Sequence, residues 1–242
     1  IEAMSLPWIA MPVPDDSGML LVDVVRSFQI TPQLALRGGA EEHYVNVSPA
    51  LVFSDEFGSA ARDRRRQMGV PQLHCHPLNS MRSATEVLSA IAGRPSAHVL
   101  MHYDPQDTAS RRLNLASVLD ALDTHPADLQ LRRLVLECCQ GANIYGEIGL
   151  RFYSIATRFL IAGVEEVITS GIPIYPAVHG TEFFESFYAV RAVADANRPL
   201  AEVLVEALRQ VKARYAKSDD PFRRLPHSWA AFTVVGRFPA EC

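Results

Sequence analysis

The chain has 242 residues, 48% of them hydrophobic and 21% charged, proportions of a globular protein with room for one sizeable core. A formal charge of −4 gives no general attraction to nucleic acid or an anionic membrane, and no apolar stretch approaches the ~20 residues that span a bilayer. The 4 cysteines, Cys75, Cys138, Cys139 and Cys242, form no spaced framework of the secreted kind, which points to a reducing cytoplasm.

Ile1, Glu2 and Ala3 read as a cloning remnant before an initiator Met4, with no signal peptide behind it, so residues 4–242 are expected to form a single domain. Pro7 to Pro14 reads as a first, irregular strand, and Met19 to Ser27 leaves strand and helix both open. Tyr44 to Val47 and Ala50 to Phe53 are short strands by composition. From Ser54 to Gly69 the chain turns polar around Arg62-Asp63-Arg64-Arg65-Arg66, which reads as a solvated loop or helix face.

The pattern is more regular from Val70 onward. Val70 to Cys75 is expected as a strand, followed by a helix that opens on the capping box Ser83-Ala84-Thr85-Glu86 and closes at Gly93 and Pro95. Ala97 to Met101 is a strand, Leu115 to Leu122 a helix, and Leu131 to Leu136 a strand. Ile148, Phe152, Ile155, Ala156, Phe159 and Leu160 recur at helical spacing, with Gly163 ending that helix. A strand from Glu166 to Ser170 precedes a helix from Thr181 to Ala196, whose Phe183, Phe184 and Phe187 read as core. Pro199 suits the first position of the next helix, and Trp229 to Val235 closes the chain as a strand. Strands alternating with helices predict a three-layer α/β domain with a mostly parallel central sheet flanked by helices.

Two of these strands end in reactive side chains. Ala97 to Met101 runs into His102, and Leu131 to Leu136 runs through Glu137 and Cys138 into Cys139. Neighbouring parallel strands would set an imidazole beside a thiol at the carboxyl edge of the sheet, where open α/β folds keep their chemistry. The thiolate is the nucleophile, and a histidine that takes its proton supplies it at neutral pH. Backbone N–H groups in the turns after the strands, at Tyr103 and Cys139, would hold the oxyanion. Cys139-Gln140-Gly141 fits the caspase signature of Cys, then Arg, Gln or Gly, then Gly, with its histidine upstream. That register selects Cys139 over Cys138, which is expected to pack as a small apolar side chain.

The residues from about Val70 to Gly236 resemble the CHAT domain family, caspase-like peptidases often found beside tetratricopeptide repeats. The resemblance rests on Met101-His102-Tyr103, Glu137-Cys138-Cys139-Gln140-Gly141 and Phe159-Leu160-Ile161-Ala162-Gly163. It continues through Val167-Ile168-Thr169-Ser170 with Gly171-Ile172-Pro173, and Trp229-Ala230-Ala231-Phe232 with Gly236. It implies a caspase-like fold and a cysteine endopeptidase acting on a protein substrate, with His102 and Cys139 as the catalytic dyad. Such domains are switched on by a regulatory or sensor module in cis or in trans, as effectors in prokaryotic signalling or antiviral defence. Tyr103 stands where the family has Gly, and Gln140-Gly141-Ala142 where it has Glu-Thr-Gly. These departures keep open the alternative of a catalytically inactive CHAT-fold interaction module.

Asp104, Asp107 and Glu147 lie near the expected edge and would favour a basic residue before the scissile bond, with solvated loop carboxylates as the alternative. His74-Cys75-His76 has the residue types of a metal site, yet strand alternation turns Cys75 away from the two histidines. No metal and no cofactor is expected.

Overall fold

The computed structural model describes residues 19–24, 48–103, 113–124, 129–138, 144–145, 153–170, 180–194 and 198–236. In chain order the elements are α1 (Leu21–Val24), β1 (Ala50–Phe53), α2 (Gly58–Met68), β2 (His74–Pro77), α3 (Ala84–Ile91) and β3 (Ser96–Leu100). They continue with α4 (Leu115–Thr124), β4 (Arg133–Glu137), β5 (Ile144–Tyr145), β6 (Tyr153–Ser154) and α5 (Ile155–Ile161). The last are β7 (Glu166–Ser170), α6 (Thr181–Val193), α7 (Leu200–Tyr215), α8 (Pro226–Trp229) and β8 (Phe232–Gly236).

Six of the described strands form one sheet in the order β2-β1-β3-β4-β7-β8, and β5 pairs separately with β6. All neighbours in the large sheet are parallel except β8, which runs antiparallel to β7. The three-layer α/β arrangement expected from the sequence is the one observed. The reversal of β8 follows from the helix count. One helix between strands brings the chain back to the starting edge, whereas α6 and α7 together return it to the carboxyl edge.

Strand alternation sorts the core into two layers. Ala97, Val99 and Met101 of the β3 segment and Leu134, Leu136 and Cys138 of the β4 segment face a cluster closed by Val87, Leu88 and Ile91 of α3, Leu119 of α4 and Phe159 of α5. Val135, Ile168 and Val234 face the opposite layer, with Phe183, Phe184 and Phe187 of α6 and Leu204 and Leu208 of α7. The aromatic stripe of α6 is therefore core, as its spacing predicts. Burying each such side chain contributes ~1.5–3 kcal/mol before entropy is counted. Among the described residues no helix is long and apolar enough to cross a membrane.

Local chemistry explains where elements start. β2 begins at His74, whose N–H donates to the Pro49 carbonyl at 3.1 Å, rather than at Val70. Pro71 has no N–H to offer a ladder. Pro199 is the N-cap of α7 rather than its first residue, and the segment expected as a strand from Trp229 first completes the helical turn α8. The capping box at α3 is half formed. Ser83 Oγ accepts from Glu86 N–H at 3.3 Å, while the Glu86 carboxylate accepts from Arg82 N–H at 3.0 Å. Ser83→Ala is expected to lower stability by ~1 kcal/mol, read as a shifted urea midpoint at unchanged slope. Residues 7–14 and 44–47, Ile148 and Phe152 lie outside the described residues.

Candidate active site

The connections after β1 and β3 leave in opposite directions across the sheet, β1 outward to β2 and β3 toward β4. Their carboxyl ends flank the switch point where open α/β sheets bind ligands. The turn after β1 is tied to β3, because Ser54 N–H donates to Leu100 O at 3.0 Å and Phe57 N–H donates to Ser54 O at 2.8 Å. This turn meets His102. The imidazole lies 4.8 Å from the Phe57 ring, centroid to centroid, and Nε2 is 3.3 Å from Glu56 Oε1. The His102 side chain is 57% exposed. Its carbonyl accepts from Leu115 N–H at 2.9 Å, which anchors the strand end to α4.

β3 and β4 are direct parallel neighbours, with Leu100 opposite Glu137. Cys138 is buried in the α3–α4–α5 layer, the small apolar role expected of it. Tyr103 takes the same side: its ring is half-buried against that core, so its bulk is seated among helices. Burial pushes its phenol up, with Arg158 opposing and Cys138 and Asp120 adding in the same direction. Cys139, Asp104, Asp107 and Glu147 lie outside the described residues.

Beneath the edge, on the face His102 shares, is a cluster of buried polar groups. Glu137 is wholly buried and accepts two bonds from the Arg64 guanidinium, Nε to Oε2 at 2.9 Å and Nη2 to Oε1 at 2.8 Å. His98 Nε2 lies 3.1 Å from the same Oε2, and its Nδ1 is 2.7 Å from the Tyr188 hydroxyl. A carboxylate only accepts, so Nε2 carries the proton and donates to Glu137, and Nδ1 accepts from Tyr188 O–H. Every polar atom of the chain Tyr188–His98–Glu137–Arg64 is thereby satisfied.

Charge follows geometry here. Burial would push the Glu137 carboxyl up, but the bonds from His98 and Arg64 win and hold it below its ordinary value. Burial, reinforced by Arg64, holds His98 below its ordinary value against the pull of Glu137, so the imidazole is neutral. The Tyr188 phenol is pushed far up by burial and keeps its proton. Arg64 also stacks on Phe184, 4.6 Å from the ring centroid, and Gln67 Oε1 accepts from its Nη1 at 3.1 Å. Gly180, just before α6, closes the cluster: a Cβ there would collide with Arg64 Nη2 and Glu137 Oε1. Only glycine lets the backbone pass this close.

Arg64 corrects the reading of Arg62–Arg66 as a solvated face. Its neighbours Arg65 and Arg66 are exposed, but Arg64 falls three residues after buried Ala61 and faces the sheet. Glu56, Arg64 and His98 were not singled out from sequence. The signal was Glu137, a carboxylate ending an apolar strand covered on both faces, which requires a buried cation. His74 and His76 stack at 6.3 Å on the edge strand, and Cys75 is exposed. Among the described residues no three His, Cys, Asp or Glu side chains gather as a metal ion would need.

Solved structures place this fold in a class. Over 79% of its length the chain matches gingipain R, an Arg-specific cysteine proteinase, with a TM-score of 0.53 at 13% identity. The complex of RgpB pro- and mature domains from Porphyromonas gingivalis gives 0.53 at 14% identity, also over 79% of this chain. The Saccharomyces cerevisiae separase–securin complex gives 0.50 at 12% identity over 86% of it. The chain spans 48%, 49% and 12% of those three chains. The likeness is one of fold, and the domain has a caspase-like α/β architecture. No curated protein sequence is a significant match. Residues 94–237 match the CHAT domain, and the chain belongs to the CHAT domain family.

Proposed function

We propose that this CHAT domain is a cysteine endopeptidase in which Cys139 is the nucleophile and His102 the general base and acid. The observation that carries the reading is the pairing of β3 with β4. The register sets Leu100 opposite Glu137, and in the sequence His102 follows two residues after Leu100 and Cys139 two residues after Glu137. The contact of His102 Nε2 with Glu56 favours the proton on that nitrogen, leaving Nδ1 to exchange protons with the thiol.

The chemistry then runs in two halves. The Cys139 thiol gives its proton to His102, and the sulfur adds to the scissile carbonyl carbon. Backbone N–H groups of Tyr103 and Cys139 receive the oxyanion. The carbon–nitrogen bond breaks, the leaving amine takes the proton from His102, and a thioester remains. Water, deprotonated by His102, cleaves the thioester and restores the thiol. Asp104, Asp107 and Glu147 would favour a basic residue before the scissile bond, in keeping with the Arg specificity of gingipain R. A protein substrate, a regulatory or sensor module in cis or in trans, a cytoplasmic setting and a part in prokaryotic signalling or antiviral defence complete the proposal.

The test is site-resolved labelling of Cys139 by peptide electrophiles that differ in the residue before the warhead, followed by peptide mass spectrometry. Fast labelling is expected, fastest with a basic residue, and lost in His102→Ala. Labelling no faster at Cys139 than at Cys242, and unchanged in His102→Ala, would overturn the peptidase reading in favour of an interaction module.

A further inference from the structure

A partly exposed carboxylate against a partly exposed imidazole usually contributes little, because water competes for both groups and the side chains are free to part. The contact of Glu56 with His102 differs in how firmly the backbone beneath it is held. Glu56 lies in the 3₁₀ turn Asp55–Phe57, and that turn is anchored at both ends. At its start, Ser54 N–H donates to the Leu100 carbonyl, two residues before His102. At its end the chain passes directly into α2, whose Arg64 is bonded to buried Glu137 of β4. Between these anchors the Phe57 ring lies 4.8 Å from the imidazole, centroid to centroid, at an interplanar angle of 48°. Carboxylate and ring thus reach the same imidazole from consecutive residues of one fixed turn. Among the described residues no other polar side chain reaches that ring.

We propose that Glu56 is a positioning residue for His102: its carboxylate keeps the ring proton on Nε2 and, together with Phe57, holds the ring in one orientation. The inference rests on His102 being the general base of the peptidase reading. A carboxylate only accepts, so Oε1 at 3.3 Å from Nε2 selects the tautomer with its proton on that nitrogen and its lone pair on Nδ1. In the opposite tautomer two lone pairs would face each other. Such contacts are often long in a resting site and tighten once substrate is bound. Phe57 supplies what the carboxylate does not, because a ring against the imidazole opposes the broad χ2 rotation open to a histidine. Without these neighbours an exposed imidazole samples both tautomers and both ring orientations, and presents the required nitrogen only part of the time.

The deciding readout needs no peptidase activity. It is the pair of ring nitrogen shifts of His102, assigned by their loss in His102→Gln and recorded in alkaline buffer, where an imidazole is neutral. Wild type is expected to show a protonated Nε2 and an unprotonated Nδ1. Glu56→Gln, which keeps an acceptor, should hold that pattern, and Glu56→Ala should relax toward the average of a free imidazole. Glu56→Lys, which offers only donors, should move the proton toward Nδ1. Asp55→Asn removes the adjacent exposed carboxylate and should change nothing. The second readout is peptide-electrophile labelling of Cys139, resolved into a limiting rate and a half-saturating concentration, with folding checked by circular dichroism. Glu56→Ala is expected to lower the limiting rate about tenfold at unchanged half-saturation, with Glu56→Gln recovering most of it. That is less than the ~10²–10⁴-fold a general base itself contributes, because water replaces part of a half-exposed contact. Ring shifts that ignore residue 56, with His102-dependent labelling intact, would sink this inference alone. Ring shifts that follow residue 56, with labelling that never depends on His102, would sink the peptidase reading and leave Glu56 as the residue that sets the ring.

Discussion

Arg64→Ala is expected to lower the unfolding free energy by ~3–5 kcal/mol, the loss that follows when one partner of a buried ion pair is removed. The carboxylate of Glu137 would stay in a fully buried site with His98 as its remaining donor. The guanidinium would also vacate its place against the Phe184 ring. The control lies two residues away on the same helix. Arg66 pairs with Asp63 at 2.6 Å, but its side chain is 79% exposed, so Arg66→Ala should change stability by less than ~0.5 kcal/mol. Urea denaturation of both variants makes the comparison. A cost for Arg64→Ala no larger than for Arg66→Ala would show that water reaches Glu137. The pair need not be a net gain over an apolar core. What makes single removal costly is the charge left behind.

How far the fold was legible can be argued from the same residues. Glu166–Ser170 was placed from sequence with its observed bounds, because the run is apolar on both faces and bounded by Gly163 and Gly171. The direction of β8 was hidden because periodicity marks an element but carries no information on which edge the chain returns to. The His102 strand was legible, since it ends an apolar run at an edge where a polar side chain has solvent. Glu56 was not, because a carboxylate in a polar stretch looks the same whether or not it meets an imidazole. Arg64 was obscured by its own neighbours: within Arg62–Arg66 only the helical phase set by Ala61 separates the buried arginine from the exposed ones. The departure at Tyr103 also looks different once placed. Its parity with Met101 sends the ring into the helix layer.

Acid is expected to destabilise the domain in two successive windows, both traceable to the buried chain. His98 is held below its ordinary value of 6.5 in the fold, chiefly by burial. The unfolded chain therefore binds a proton at this residue before the folded one does, and stability falls as pH drops below about 6.5. Each unmatched proton contributes at most about 1.4 kcal/mol per pH unit. Glu137 acts with the same sign at lower pH. Its carboxyl is held below its ordinary 4.5 in the fold, so its contribution is present above 4.5 and is lost as pH falls toward the folded value. His76, also lowered by burial, adds to the first window, and the assignment therefore needs a variant. His98→Gln keeps a donor for Glu137 and removes the titration. Between pH 6.5 and 5 the slope of unfolding free energy against pH should be shallower in His98→Gln than in wild type, with the two curves parallel above pH 7. Equal slopes in that window would mean that the folded protein takes up the proton as readily as the unfolded chain. The Tyr188 hydroxyl would then have to give up its bond to Nδ1, and the chain of donors that holds Glu137 in place would be arranged differently.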